Sequence, residues 1–454
     1  MDELLAHAMN RRRLLHVAAG GAAAAGLAPL LGASPASAHS SAGNIKMWWW
    51  GEQEAVGIKK WMDDTIKKFK AQTGSTVSPT EMDVSVVISQ FTKAAAAGNV
   101  PDVQFLFNGI YHMENAWLGY LKPLDGLVSA ATIKNGGGTK LSQYAGKTYR
   151  TGFYDLAFGL LYNKEHFAKA GLNADSPPKT WDQFLNACDK LKAKGYIPIG
   201  GGIKDGFVGE WWLINTLTQN LDSAADALNL FIGKLDWREP KYHEHWIKLQ
   251  ELYDHKFWND DVNSLKLYQG IQLYNTGKAS MALNNTPAIP DSQKKLGKDK
   301  VGFMKMPTFG TGKMAPYPVV DSQGFGIPAK AKDPATAAKF IDFMHTPERL
   351  KAYWTLSQQI PADSRFDPSV IDNPLLKQTY DKFIKAKHNV YIADLMPGLF
   401  WTDAMFVISQ KILGGNMKGA QSGDYAAKIT QKWKKQNPDE VKHYTTWGKD
   451  LKSA

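Results

Sequence analysis

The chain has 454 residues, 44% of them hydrophobic and 21% charged, proportions of a soluble globular protein long enough for two or three domains. Its single cysteine, Cys188, excludes an internal disulfide, a cysteine-based zinc site and a cysteine-ligated iron–sulfur cluster. The formal net charge of +11 comes with lysines scattered over helix faces (Lys59-Lys60, Lys67-Lys68, Lys434-Lys435) and acidic residues between many of them, so it reads as solvated surface and not as nucleic-acid binding.

Asn10-Arg11-Arg12-Arg13 precedes an apolar, Ala/Gly-rich run over residues 17–31, followed by Ala36-Ser37-Ala38. Charged region, apolar region and an A-x-A site make residues 1–38 an export signal, and the paired arginines resemble a twin-arginine signal. Cleavage before His39 is expected. No cysteine follows the apolar run, so a lipid anchor is not expected, and the location read from the signal is periplasmic or extracellular.

Residues 45–50 read as a first strand buried on both faces, as parallel strands are. Ile58, Trp61, Met62, Ile66 and Phe69 form the inner face of a helix, residues 76–84 a second strand, and residues 94–107 a third helix-to-strand step. This alternation argues for an open, mostly parallel sheet, with ligands beyond the carboxyl ends of its strands. Trp49, Trp50 and Glu52 then stand at one mouth, and Asn108 and Tyr111 at another. Strand alternation separates Trp48 and Trp50 from Trp49. Trp50, just ahead of Gly51, is the expected aromatic platform. Gly136-Gly137-Gly138 reads as a flexible loop without a phosphate-binding pattern.

Thr180 and Gln183 form a capping-box signature. Trp181, Phe184, Leu185, Cys188 and Leu191 follow at helical spacing as an apolar face, and Gly195 ends the helix. Pro177-Pro178 bars an earlier start. Trp211-Trp212 opens another helix through Leu213, Leu217 and Leu221. His243, His245 and His255 lie in a charged helical stretch, read as surface residues and not as a metal site. Asp333 as N-cap with Pro334 at the first helical position begins a late helix, and Thr346-Pro347 repeats the signal. The last ninety residues read as helical, with Phe400 and Trp401 on a loop after Pro397-Gly398.

The run YNKEHFAKAGL, then PPKTWDQF, then KLKAKGYIPI, resembles the family 1 extracellular solute-binding proteins of ABC importers, the group that includes maltodextrin-binding proteins. Further matches are AAAAGNVPDV, residues 147–162, residues 274–283, Val301-Gly302-Phe303 with Met306-Pro307, residues 317–334, and Ile360-Pro361-Ala362. The chain departs from the pattern at Gly152, where proline is usual, and at Asn284-Asn285-Thr286-Pro287, where G-x-W is common.

The resemblance implies an α/β, two-lobed periplasmic-binding-protein fold of type II. Its lobes are 39–157 plus 317–360 and 158–316 plus 361–454, joined by a hinge. It also implies a receptor and not an enzyme: a monomer that closes on a small carbohydrate, an oligosaccharide or glycoside, and presents it to a membrane permease, with no cofactor and no metal. The ligand contacts so implied are Trp49, Trp50, Glu52, Asn108, Tyr111, Tyr154, Asp155, Phe158, one of Trp211 and Trp212, Asn284, Asn285, Asp321, Gln323 and Trp401. The rival reading is a secreted glycoside hydrolase or lyase, which needs two carboxyls flanking the scissile bond; no spacing singles out such a pair. A twin-arginine oxidoreductase lacks its G-x-G-x-x-G. Polyols and sugar phosphates remain alternative ligands.

Overall fold

The computed structural model describes residues 42–53, 55–106 and 113–452. The stretch expected to be an export signal, Asn108 and Tyr111 lie outside the described residues. Strands follow in the order β1 (Asn44–Trp49), β2 (Thr76–Glu81), β3 (Val103–Leu106), β4 (Leu121–Lys122), β5 (Gln143–Tyr144), β6 (Lys147–Thr148), β7 (Thr151–Asn163), β8 (Ile197–Gly200), β9 (Ala279–Asn285), β10 (Val301–Met304), β11 (Val319–Pro328) and β12 (Ile360–Pro361). Apart from the β5–β6 hairpin they form one sheet, ordered β2-β1-β3-β11-β7-β9-β8, with β10 and β12 also on β7 and β4 on β11.

The sheet is mixed, not mostly parallel. β1 runs parallel to β2 and β3, and β8 to β9, but every pairing of β7 and β11 is antiparallel. These two long strands sit at the centre. The first half of β7 pairs with β11 and β12 and its second half with β9 and β10, so the chain passes from one half of the sheet to the other along a single strand. Helices cover both sides.

β1 corrects one expectation: its burial alternates, with Ile45, Met47 and Trp49 inside and Asn44 and Lys46 exposed. It lies one strand from the sheet edge, where one face meets solvent. The second strand stops at Glu81, because the Asp83 carbonyl already accepts from Val86 and Val87 and starts the helix Val84–Ala97. Asp102 fastens this half. Its carboxylate accepts from the backbone N–H groups of Lys46 (2.9 Å), Lys332 (2.7 Å) and Asp333 (3.0 Å), holding the start of β3 to β1 and to the chain leaving β11.

The local signals hold in the central stretch. Thr180 and Gln183 make a reciprocal capping box on the helix Trp181–Ala193, with Cys188 buried. Asp333 accepts from Thr336 N–H with Pro334 in the first turn.

Three further expectations are corrected. The helix carrying Trp211-Trp212 begins at Phe207, after Gly206, and all ten of its residues are buried. Phe400 and Trp401 lie in a continuous helical stretch, Gly398–Phe400 running into a π-helical turn Trp401–Phe406 and the helix Val407–Leu413. His243 and His245 are buried, because their helix Pro240–Asp254 packs against Val407–Leu413 and Ser422–Gln436 and not against water.

The triple glycine is packed structure and no flexible loop. Gly137 N–H donates to Ala362 O, and the Gly137 carbonyl lies so close to the Gly152 Cα that no side chain fits there. That approach explains why glycine stands at 152. Among the described residues no helix is long and apolar enough to cross a membrane.

Candidate functional site

Directly paired residues of neighbouring strands share a face, so the registers of β7, β9 and β11 sort the central residues. Tyr154 pairs with Gln323, Leu156 with Asp321, and Phe158 with both Val319 and Asn285. Asp155 pairs with Ser322, and Gly159 with Asn284. One face therefore carries Tyr154, Phe158, Asn285, Asp321 and Gln323, and the other carries Asp155 and Asn284. The sequence expectation had put them in one site; the pleat divides them.

On the first face aromatic side chains gather around Phe158. Its ring lies 5.3 Å from Trp211 and 5.4 Å from Tyr391, centroid to centroid. Tyr391 Oη donates to Glu210 Oε1 at 2.8 Å, and Trp401 Nε1 donates to Glu210 Oε2. Of the tryptophan pair, Trp211 faces this group. Trp212 turns into the core, with Nε1 donating to the His245 carbonyl at 2.9 Å.

Burial pushes the Glu210 carboxyl up to about 7, while the two donors pull it the other way. The Tyr391 phenol is raised well above its ordinary value by burial and by Glu210, Asp321 and Asp394. These three acids thus all act on one phenol.

The rings of this group are buried, Phe158 at 2%, Tyr391 at 5%, Trp211 at 6% and Trp401 at 8% exposure, and those toward the other half are closed in as well. Trp50 is 0% and Trp49 3% exposed. Trp50 stands edge-on to Phe105 at 4.2 Å, and Phe105 stacks on Tyr154 at 5.8 Å. Tyr154 Oη donates to Gln323 Oε1 at 2.7 Å. The expectation that Trp50 offers a free ring face is corrected, because the ring beyond the end of β1 turns into the core. Glu52 is occupied as well: its carboxylate accepts from Gly57 and Lys59 N–H (2.9 and 2.8 Å) and caps the helix Ile58–Thr73.

On the opposite face Ser322 Oγ donates to Asp155, whose carboxyl is pushed up to about 7 by burial against the pull of Ser322 and Arg150. Arg150 is fully buried; its Nε donates to Ser142 Oγ at 3.0 Å and Nη1 to the Ser322 carbonyl. Burial lowers its guanidinium, and Asp394, Asp321 and Asp155 oppose that. Nη2 of Arg150 and Nδ2 of Asn284 have no hydrogen-bond partner among the described residues.

Sequence reasoning missed Glu210, Tyr391, Asp394 and Arg150. One signal was available: Glu210 is the lone charge in FVGEWWLINT, and a lone acid in a largely apolar helix needs specific partners. Nothing local marks Tyr391, whose partner Glu210 lies far away in the chain, or Arg150, which bonds Ser142 nearby and Ser322 far away. Elsewhere Asp205 is raised by burial against the pull of the Leu267 N–H, from which its carboxylate accepts. Among the described residues no group of three or more His, Cys, Asp or Glu side chains is placed to hold a metal ion.

Comparison with known proteins gives this arrangement its context. The model of the bacterial extracellular solute-binding protein family matches residues 64–378. The multiple sugar-binding protein of Streptococcus mutans is 25% identical over 398 residues, 82% of this chain and 88% of its own length. The sn-glycerol-3-phosphate-binding periplasmic protein of Escherichia coli K12 is 27% identical over 212 residues, 44% of this chain and 46% of that protein, so the match spans about half of that relative. A solved chitin oligosaccharide binding protein superposes with a TM-score of 0.77 at 23% identity, covering 87% of this chain and 99% of that one. The fold is therefore that of the two-lobed α/β binding proteins, with β7 and β11 central to the sheet that both halves share. The chain belongs to the family of bacterial extracellular solute-binding proteins.

Proposed function

We propose that this protein is the carbohydrate receptor of an ABC importer, binding an oligosaccharide or glycoside between lobes 39–157 plus 317–360 and 158–316 plus 361–454. The observation that carries this reading is the grouping of Phe158, Trp211, Tyr391 and Trp401 with Asp321, Asp394 and Glu210 at the strands common to both halves of the sheet. Aromatic faces give area for the C–H side of a pyranose, and carboxylates accept from its hydroxyls. The sugar-binding relative from Streptococcus mutans supports the same ligand class. Closing the lobes would bury the ligand, and a membrane permease would read the closed state. The protein acts as an exported, unlipidated monomer and breaks no bond in its ligand.

The glycerol-phosphate relative suggests a second ligand class, and electrostatics disfavours it. Glu210, Asp321 and Asp394 all act on the Tyr391 phenol, whereas Arg150, on which Asp321 and Asp394 also act, already donates through Nε to Ser142 and Nη1 to Ser322. A phosphate there would add negative charge beside three acids in a poorly screened place.

A thermal-shift screen followed by calorimetry tests the reading, with maltotriose, raffinose, di-N-acetylchitobiose and sn-glycerol 3-phosphate as probes. A sugar should raise the melting temperature and shrink the radius of gyration, and should be recovered uncleaved. Stabilisation by the phosphate alone, or cleavage of a sugar, would overturn it.

A further inference from the structure

The helix Phe207–Thr216 is buried on every side, yet it carries one carboxylate, Glu210, at 2% exposure. Taking an ionisable group out of water is expensive unless it is well partnered. Its two partners come from separate later segments. Tyr391 precedes the short turn Ile392–Leu395, and Trp401 opens the π-helical turn Trp401–Phe406. Both give their protons to the same carboxylate, one to each oxygen. An indole N–H can only donate, so Trp401 fixes which way that end of the pair must point.

The backbone is shaped for the same contact. Gly206, at φ +87°, sits under the Trp401 ring; a Cβ there would be 2.7 Å from it. Tyr391 in turn packs against Phe158, and Phe158 against Trp211. One carboxylate therefore sets the orientation of two rings and ties them to the helix that supplies a third.

We propose that Glu210 is a positioning residue of the ligand site: by accepting from Tyr391 Oη and Trp401 Nε1 together it fixes the aromatic surface on which the ligand stacks. This rests on the carbohydrate reading above. Glu210 itself does not touch the ligand; Asp321 and Asp394 also act on its Tyr391 partner. Stacking on a sugar depends on the plane of the ring, so a ring free to swing binds more weakly although its area is unchanged.

The test uses the full mature chain as wild type, Glu210→Gln, Glu210→Leu and Tyr391→Phe. 5-Fluorotryptophan labelling reads the Trp401 ring by fluorine NMR, its resonance assigned with Trp401→Phe. Calorimetry uses whichever of maltotriose, raffinose and di-N-acetylchitobiose most stabilises the wild type. Glu210→Leu should move the Trp401 resonance without ligand and weaken the probe about tenfold or more. Glu210→Gln keeps an acceptor for the indole while its amide can donate to the phenol oxygen; it should recover the resonance and come within about threefold of wild type. Should Glu210→Leu fail to fold, Tyr391→Phe removes one donor and keeps both rings, and it should shift the resonance and weaken binding by a few-fold.

An unmoved Trp401 resonance, wild-type affinity in a folded Glu210→Leu, or a glutamine variant as weak as the leucine one would each overturn the proposal. Failure of every probe sugar to bind wild type would instead sink the carbohydrate reading, while the ligand-free fluorine spectra still decide the clamp.

Discussion

Trp50 meets Phe105 edge-on with ring centroids 4.2 Å apart, and Phe105 continues that contact to Tyr154 on β7. The ring is fully enclosed, so its contribution is to folding. Trp50→Ala is expected to cost about 3–5 kcal/mol, the range for truncating a buried large aromatic and leaving a cavity. Urea denaturation without ligand measures it; an unchanged midpoint would return Trp50 to the cleft mouth.

Asp102 makes a prediction of another kind, because one carboxylate there serves three backbone donors from two separate stretches of chain. Asp102→Ala leaves those N–H groups without the acceptor and should cost about 2–4 kcal/mol, as hydrogen bonds to a charged group are worth more than neutral ones. Asp102→Asn keeps one acceptor oxygen and should cost less. Hydrogen exchange at Lys46 and Lys332 should speed up in both variants, and more in the alanine one.

What was legible in the sequence follows the range of the interactions. The Thr180–Gln183 capping box and the Asp333 cap form between residues three apart, so the sequence displays both partners at once. The two-lobed fold was legible through the wording of the central stretch and not through its physics. Illegible were positions decided by partners far away. Glu210 answers to Tyr391 and Trp401, 181 and 191 residues on. Gly152 is fixed by the Gly137 carbonyl. Strand alternation separates Tyr154 from Asp155, but which of them shares a face with Asp321 required the register of β7 against β11, which no local pattern contains.

His245 was read as a surface residue and is instead fully buried, its ring 4.2 Å from Trp246 and both ring nitrogens without a hydrogen-bond partner among the described residues. Burial, with a smaller contribution from His243, holds its pKa well below 6.5. The unfolded chain therefore binds a proton more readily than the folded one. Its contribution to stability is complete above about pH 6.5 and falls as pH drops, by up to about 1.4 kcal/mol per unit for this one proton. His245→Leu should flatten the loss between pH 6.5 and 5 in chemical denaturation; an equally steep loss in that variant would refute the assignment.

Asp155 works in the opposite direction. Burial raises its carboxyl from 3.8 to about 7, against the Ser322 hydroxyl and Arg150. The folded protein keeps this proton where the unfolded chain has lost it, so the stability it gives is fully present below about pH 3.8 and is lost as pH rises to about 7. Above that the loss is complete and constant. Asp155→Asn has no proton to lose and can still accept from Ser322 Oγ. Relative to the wild type the variant should gain stability steadily from pH 5 to pH 7, so that the difference at pH 8 exceeds that at pH 5 by about 1 kcal/mol or more. Glu210, also raised to about 7, contributes a slope of the same sign that remains in Asp155→Asn, so the difference between the two proteins isolates Asp155. Guanidinium titrations at pH 5, 6, 7 and 8 decide it: a difference that stays constant or shrinks as pH rises would mean that the Asp155 charge is stabilised in the fold, with Arg150 prevailing over burial.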